Sequence, residues 1–370
     1  MTMATVEPGF QTVGQEVAQA IAVRAATGGR LQRTILVHGP AGAGKGAFVD
    51  DLLALLLCQA ADPASRPCNA CRGCRDARSR SHPDLVTGSP SSWRESRSTG
   101  ESIVAAARRW LLSSATSPIA GELRVVLIEH ADQANEQAQN ALLKALEEPA
   151  PRQMFVLVAD DLASLLPTIR SRATPLRVGP ISHSDLETLL IDRERLPADQ
   201  AEALARIAGG LAGRAVGYAR NPELLKWRGR VQAELLGLLS RGRADRFASA
   251  RELLDQAAAL GMPTEPSEPA GDEEPVRLSG AAQRGAALLV ADAWHALARD
   301  LLVSRAGRAK LAATGRQLAN LPTEASAMDP AALVEFMGVL ETVIEGLRAN
   351  GAPRLAMERA MLAWPVIVSR

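Results

Sequence analysis

Residues 34–46 read Thr-Ile-Leu-Val-His-Gly-Pro-Ala-Gly-Ala-Gly-Lys-Gly. A short apolar run, Thr34–His38, leads into the spacing G-x-x-x-x-G-K from Gly39 to Lys45. Glycines at these places let the backbone turn its N–H groups toward an anion, and the positive end of a following helix adds to the attraction. Lys45 would reach the β and γ phosphates of a nucleotide. The pattern should close with Ser or Thr, whose hydroxyl ligates magnesium. Here it closes with Gly46, which has no side chain. Gly39, Gly44, Lys45 and Gly46 are therefore candidates for a degenerate nucleotide site. Gly46 argues against magnesium-dependent hydrolysis and leaves ATP binding by this chain an open question. A chance glycine loop is the plainer reading, and the strand–loop–helix context weakens it.

Further strand-like runs occur at Arg124–Glu129, Met154–Ala159 and Ala173–Val178. Such near-continuous β-branched runs suit strands buried on both faces. Helical spacing fills Ala47–Leu57, Ile103–Ser113 and Gln133–Leu146. Alternation of the two predicts an α/β domain with a doubly wound parallel sheet, its ligand site at the carboxyl ends of the strands. Gly88–Gly100, with five serines, reads as a loop. Beyond about residue 180 the strand signal stops, and Ser182–Ile191, Ala198–Ala208 and an Ala- and Leu-rich region from Pro222 onward predict an all-α remainder. Gly261–Pro275 carries four prolines and an acidic bias, which predicts a mobile loop. The formal net charge of +1 gives no global pull toward nucleic acid. Met1–Phe10 lacks a signal-peptide pattern and no run approaches 18 apolar residues, so a cytoplasmic protein without a membrane partner is expected.

Three more constellations bear on chemistry. Val125-Val126-Leu127-Ile128 ends in Glu129-His130, where phosphate-loop ATPases end a strand in two acids, one orienting magnesium and one polarising water. Glu129 keeps the first acid in longer form. His130, largely neutral at its ordinary pKa, is a weaker activator than the second. Cys58, Cys68, Cys71 and Cys74 lie within 17 residues, and the other 353 residues contain no cysteine. Four thiolates suit a tetrahedral, structural zinc with no open position. An iron–sulfur cluster or free thiols are the alternatives. Finally, Thr168-Ile169-Arg170-Ser171-Arg172 precedes the last strand. An arginine there serves most simply as an ion-pair partner, yet arginine also reaches across subunit boundaries to a neighbour's γ-phosphate.

Several of these segments resemble one family together. Asn140-Ala141-Leu142-Leu143-Lys144-Ala145-Leu146-Glu147-Glu148-Pro149 is similar to the N-A-L-L-K-x-L-E-E-P signature of bacterial clamp-loader subunits. Ser171-Arg172 resembles that family's Ser-Arg-Cys motif, with Ala173 in place of its last residue, and the cysteine cluster resembles its zinc module. The resemblance implies an AAA+ phosphate-loop domain over residues 1–180 with a zinc module at 58–74. It also implies a helical lid at 181–222 and a helical collar at 223–370 that holds a pentamer together. It implies Arg172, with Ser171, as an arginine finger acting in trans, and places Arg214 where the lid's sensor arginine is expected. A sensor residue of the sheet would fall near Ala159-Asp160, where no role is assigned. The motor subunits gamma and tau keep an intact Lys-Ser/Thr loop and an Asp-Glu pair. Lys45-Gly46 and Glu129-His130 point instead to a non-catalytic subunit of the DNA polymerase III loader. The implied partners are gamma/tau and delta, with the sliding clamp and primer–template DNA met through the complex. A self-sufficient ATPase of the gamma/tau type is the alternative. A zinc-dependent nucleic-acid binder is a third reading, opposed by balanced charge and 3% aromatic residues.

Overall fold

The structure is a computed structural model that describes residues 9–27, 33–260, 280–313, 323, 326–349 and 351–366. The chain divides into two compact units, Met1–Ala219 and Arg220–Arg370. The segment Gly261–Pro275 lies outside the described residues.

The first unit is built on five parallel strands. These are β1 (Thr34–His38), β2 (Leu85–Gly88), β3 (Arg124–Ile128), β4 (Gln153–Ala159) and β5 (Thr174–Arg177), in the order β2-β3-β4-β1-β5. The strand that feeds the phosphate loop is thus flanked by β4 and β5, in register Leu36 to Leu157 and Leu36 to Pro175. Side chains alternate across the sheet with the two-residue period of a strand. Ile35, Val37, Val125, Leu127, Val156 and Val158 pack on one face against α1 (Glu16–Thr27) and α2 (Lys45–Leu56). Leu36, Val126, Ile128, Phe155 and Leu157 pack on the other against α5 (Ile103–Ser114) and α6 (Glu136–Glu147). Both faces are therefore dry, which is why β3 and β4 read as unbroken apolar runs. This is the α/β phosphate-loop architecture expected of an AAA+ domain.

Two local expectations fail. Residues 88–100 are not all loop: Ser89 caps α4 (Pro90–Glu95), its hydroxyl accepting from Ser92 N at 3.1 Å while Ser92 Oγ accepts from Ser89 N at 2.9 Å. Trp93 pins that helix by burying its ring against Trp110, centroids 5.6 Å apart. The strand β2 and the helix α3 (Arg72–Arg78) are also additions, each too short to show a period. Elsewhere the ends move by a residue or a few. The anticipated Gln133–Leu146 helix splits into a 3-10 turn at Ala131–Gln133 and α6, whose cap is Asn135 accepting from Ala138 N at 2.9 Å.

At the sheet edge Asp84 is fully buried and accepts the N–H groups of Ile119 (2.5 Å), Ala120 (2.9 Å) and Gly121 (2.8 Å). Burial pushes this carboxyl up, but the three amide donors prevail and hold it below its ordinary value. A carboxyl depressed on folding stabilises above its unfolded pKa and loses that contribution as the pH falls through its folded one. Asp84→Asn is therefore expected to lower stability by about 2 kcal/mol at neutral pH. The gap between variant and wild type should close below about pH 4, as read by urea unfolding across pH.

The chain then runs through α7 (Pro167–Arg170), α8 (His183–Glu194), α9 (Ala198–Ala208) and α10 (Ala212–Arg220). The second unit is helical: α11 (Pro222–Gly237), α12 (Arg243–Leu260), α13 (Gly280–Arg305), α14 (Pro330–Arg348) and α15 (Pro353–Ala363). Its core is centred on Trp227, Trp294, Phe336 and Trp364. Trp364 donates Nε1–H to Leu235 O at 2.8 Å, and the buried Arg246 donates to Trp364 O (2.6 Å) and Pro365 O (2.9 Å). No helix among the described residues is long and apolar enough to cross a membrane.

Candidate functional site

The phosphate loop leaves the carboxyl end of β1 and opens α2. Gly39 is required by contact: a Cβ there would stand 1.9 Å from Val178 O, where β5 passes. Gly44 caps α2 at φ 98°, a left-handed conformation that costs glycine nothing. The loop is closed on itself. Lys45 is 7% exposed; its ammonium donates to Gly39 O (2.7 Å) and Pro40 O (3.0 Å) and pairs with Asp160 at the end of β4. The first turn of α10 lies on the outer side of the loop. Arg214 N donates to Gly42 O at 3.0 Å, and Gly213 sits so near that a Cβ on it would be 3.0 Å from Gly42 O and 3.2 Å from Gly44 N. For Lys45 to reach a phosphate its ammonium must leave Gly39 O, Pro40 O and Asp160. Nearby, burial first, and then the charges of Arg177 and Lys45, push the His38 imidazole below its ordinary value.

Glu129 follows β3 at the same edge of the sheet, 2.5 Å from Nη1 of Arg80. Arg80 also donates Nε–H to Asp50 Oδ1 at 2.8 Å, and its Nη2 stands 3.9 Å from where a Cβ at Gly46 would be. Burial pushes the Asp50 carboxyl up, against the lowering pull of Arg80. His130 is exposed in a left-handed conformation, φ 51°. Arg80 does not stand out in the sequence, which marks Asp160 only as lying near an expected sensor position, with no role assigned. The signal for Asp160 was its place after β4, next to the loop strand; Arg80 lies in no motif.

The four cysteines converge. Their sulfurs all lie within 4.8 Å of one another, and Cys58 Sγ and Cys71 Sγ are 4.0 Å apart. Tetrahedral zinc with bonds of about 2.3 Å needs sulfurs about 3.8 Å apart, so this cage fits a metal and is too wide for a disulfide. Backbone N–H groups point at the sulfurs: Cys68 N at Cys58, Cys71 N at Cys68 and Cys74 N at Cys71, at 3.3–3.5 Å. Amide donors from Ala70 and Cys71 draw the Cys68 thiol down to about 6, the thiolate form that a metal takes. Burial pushes the Cys58 and Cys74 thiols up, so a metal binding to them would displace their protons to solvent.

Arg172 sits elsewhere. It follows α7 and precedes β5, whose Thr174 lies beside Ile35 at the amino end of β1. The loop leaves the opposite end; four strand residues at about 3.3 Å already separate the two levels by roughly 13 Å. Arg172 pairs with Glu147, the last residue of α6, at 2.6 Å, and donates to Thr168 O at 3.0 Å. Gln139 of α6 fixes this corner by donating to Ser164 O (2.8 Å) and accepting from Leu166 N (2.8 Å). Ser171 is exposed beside it, its hydroxyl donating to Thr168 O at 3.1 Å.

Residues 14–182 match a family described as DNA polymerase III, delta subunit. Over about half of this chain, the delta-prime subunit of Pseudomonas aeruginosa DNA polymerase III is 35% identical, with 50% of this chain and 55% of that protein covered. Residues 14–182 are thus similar to the delta-prime subunits of DNA polymerase III. The delta-prime subunit of Bacillus subtilis is 33% identical over 55% of this chain and 58% of its own length. The gamma/tau subunit of Mycobacterium tuberculosis is 30% identical over 46% of this chain and 28% of its own. The chain thus spans about half the length of the delta-prime relatives it matches. Among solved structures, a gamma subunit-related protein of Thermotoga maritima is 16% identical, covering 94% of this chain and 97% of that one, with a TM-score of 0.41. The matched segment, residues 14–182, contains the loop, the cysteine cage, Glu129 and Arg172; Arg214 lies beyond it.

Proposed function

We propose that this chain is a non-catalytic delta-prime subunit of the DNA polymerase III clamp loader. It assembles with gamma/tau motor subunits and delta, and presents Arg172 to the ATP of a neighbour during loading of the sliding clamp onto primer–template DNA. The observation that carries this reading is the division of the first unit into two edges. At the carboxyl edge Lys45 is bound to its own loop and to Asp160. At the amino edge Arg172 is half exposed, out of reach of that loop and held by an exposed pair with Glu147 and a bond to Thr168 O. Lid residues 181–222 close the loop and residues 223–370 join the collar. Cys58, Cys68, Cys71 and Cys74 would hold zinc, which supplies a structural crosslink between the end of α2 and α3. Localisation is cytoplasmic.

The isolated chain is expected to show no ATP turnover above background, and Lys45→Ala is expected to change nothing in that assay. Turnover by the isolated chain that Lys45→Ala abolishes would overturn the reading in favour of a self-sufficient ATPase of the gamma/tau type.

A further inference from the structure

We propose that Arg80 is a built-in cation that takes the place of the magnesium ion of a working phosphate-loop site. Two departures from the working pattern, Gly46 and Glu129, and a third group, Asp50, converge on its guanidinium. Gly46 replaces the hydroxyl ligand, and Arg80 Nη2 lies 3.9 Å from the Cβ position at Gly46. Magnesium sits about 2.1 Å from its oxygen ligands, so a cation at that distance from Cβ is close to where a Ser or Thr would hold the metal. Glu129 stands where the magnesium-orienting acid belongs and is 2.5 Å from Arg80 Nη1. Asp50, one turn along α2 from Gly46, takes the remaining edge of the fork at 2.8 Å from Nε. A guanidinium remains charged at any working pH and offers donors in a fixed plane, so it can satisfy two carboxylates without an exchangeable ion.

The arginine is also held in place. Arg80 ends the segment that follows α3, in a left-handed conformation at φ 56°, and its N–H donates to Ala77 O at 3.0 Å. Residues other than glycine adopt that conformation at a cost, so the surrounding contacts must enforce it. The segment begins at the cysteine cage, which places its cation-bearing residue beside α2. This inference rests on reading the loop as a nucleotide site that has lost its metal. It adds that the loss is filled from within, so that Glu129 is a partner of Arg80 and not an idle relic.

The test is manganese binding by the full chain with its cysteine cage filled with zinc, followed by the electron paramagnetic resonance signal of free Mn2+. Wild type should bind no Mn2+ at this edge below millimolar concentration. Arg80→Ala should gain one site per chain, at least tenfold tighter than anything in wild type. Glu129→Gln added to Arg80→Ala should abolish the gain, and Arg80→Lys should keep the metal out. If Arg80→Ala binds no more Mn2+ than wild type, or if the gain survives Glu129→Gln, the proposal is wrong. Arg80→Gln, neutral and nearly the same size, carries the same test should the alanine variant fail to fold. Wild type gives an independent reading: the Arg80 Nε–H resonance should stay sharp in submillimolar Mn2+, and its selective broadening would place metal beside it and overturn the proposal. ATP turnover of the assembled loader does not enter this assay, so it and the proposed function can fail separately.

Discussion

If this chain completes a neighbour's ATP site as proposed, Arg172→Ala is expected to slow hydrolysis at that site by about a thousandfold, while the loader still assembles. A finger stabilises charge that develops on the γ-phosphate in the transition state and is worth roughly 10³ to 10⁵ in rate. The structure shows what the side chain gives up to do so. Its ion pair with Glu147 is exposed on both sides, 38% and 46% of the two side chains, and such pairs contribute about 1 kcal/mol or less. Glu147 therefore parks the arginine without locking it. Arg172→Lys should not restore the rate, because an ammonium lacks the planar fork that meets two phosphoryl oxygens at once. The measurement is clamp- and DNA-stimulated hydrolysis by the reconstituted loader, in single turnover, with assembly checked by gel filtration. Unchanged hydrolysis in a fully assembled complex would reduce Arg172 to a surface ion pair. Sites completed by other subunits should keep their rates, so the total falls only by the share of the affected site.

Removal of metal should have the second large effect. Zinc bound by four thiolates contributes folding free energy outright, with apparent values of about 10–16 kcal/mol in small zinc modules. Here Cys74 is fully buried, and its thiol reaches Ala54 O of α2 at 3.5 Å, so the cage is part of the phosphate-loop helix's own packing. Cys74→Ser should lose one zinc per chain by elemental analysis. It should also lower the melting transition of the first unit by roughly 10 °C, the shift that about 3 kcal/mol produces in a unit of this size. Chelation of wild type should do the same, and zinc should reverse it. A metal-free chain that melts unchanged would leave the four cysteines as ordinary free thiols.

Much of the α/β unit was readable in the sequence because its central strands are dry on both sides. Thr34–His38 could be placed to the residue, and β3 and β4 to within a residue at each end, because their unbroken apolar runs suit burial on both faces; β5, where Pro175 and Arg177 are exposed, lies within the run Ala173–Val178 that marked it. The cage was readable too, since four cysteines in 17 residues have few other uses. What failed was short or polar. The α4 helix hides among five serines because its cap and its buried Trp93, not its periodicity, create it. At four residues β2 is too brief to show a period, and it exists because β3 offers it a partner edge.

The site divides along the same line. The sequence by itself determined the loop, its missing hydroxyl, the altered acid at Glu129 and the arginine before β5, since each lies within a run of neighbouring residues whose order carries the pattern. Only the tertiary structure decided that Lys45 is tied to Asp160, 115 residues away, that Arg80 meets Glu129 and Asp50, and that Arg172 opens at the far edge of the sheet from the loop. Periodicity and motif spacing report what neighbouring residues need from one another. Which distant charges meet depends on strand order and on the direction in which each parallel strand ends, and that order, β2-β3-β4-β1-β5, arises only when the sheet closes.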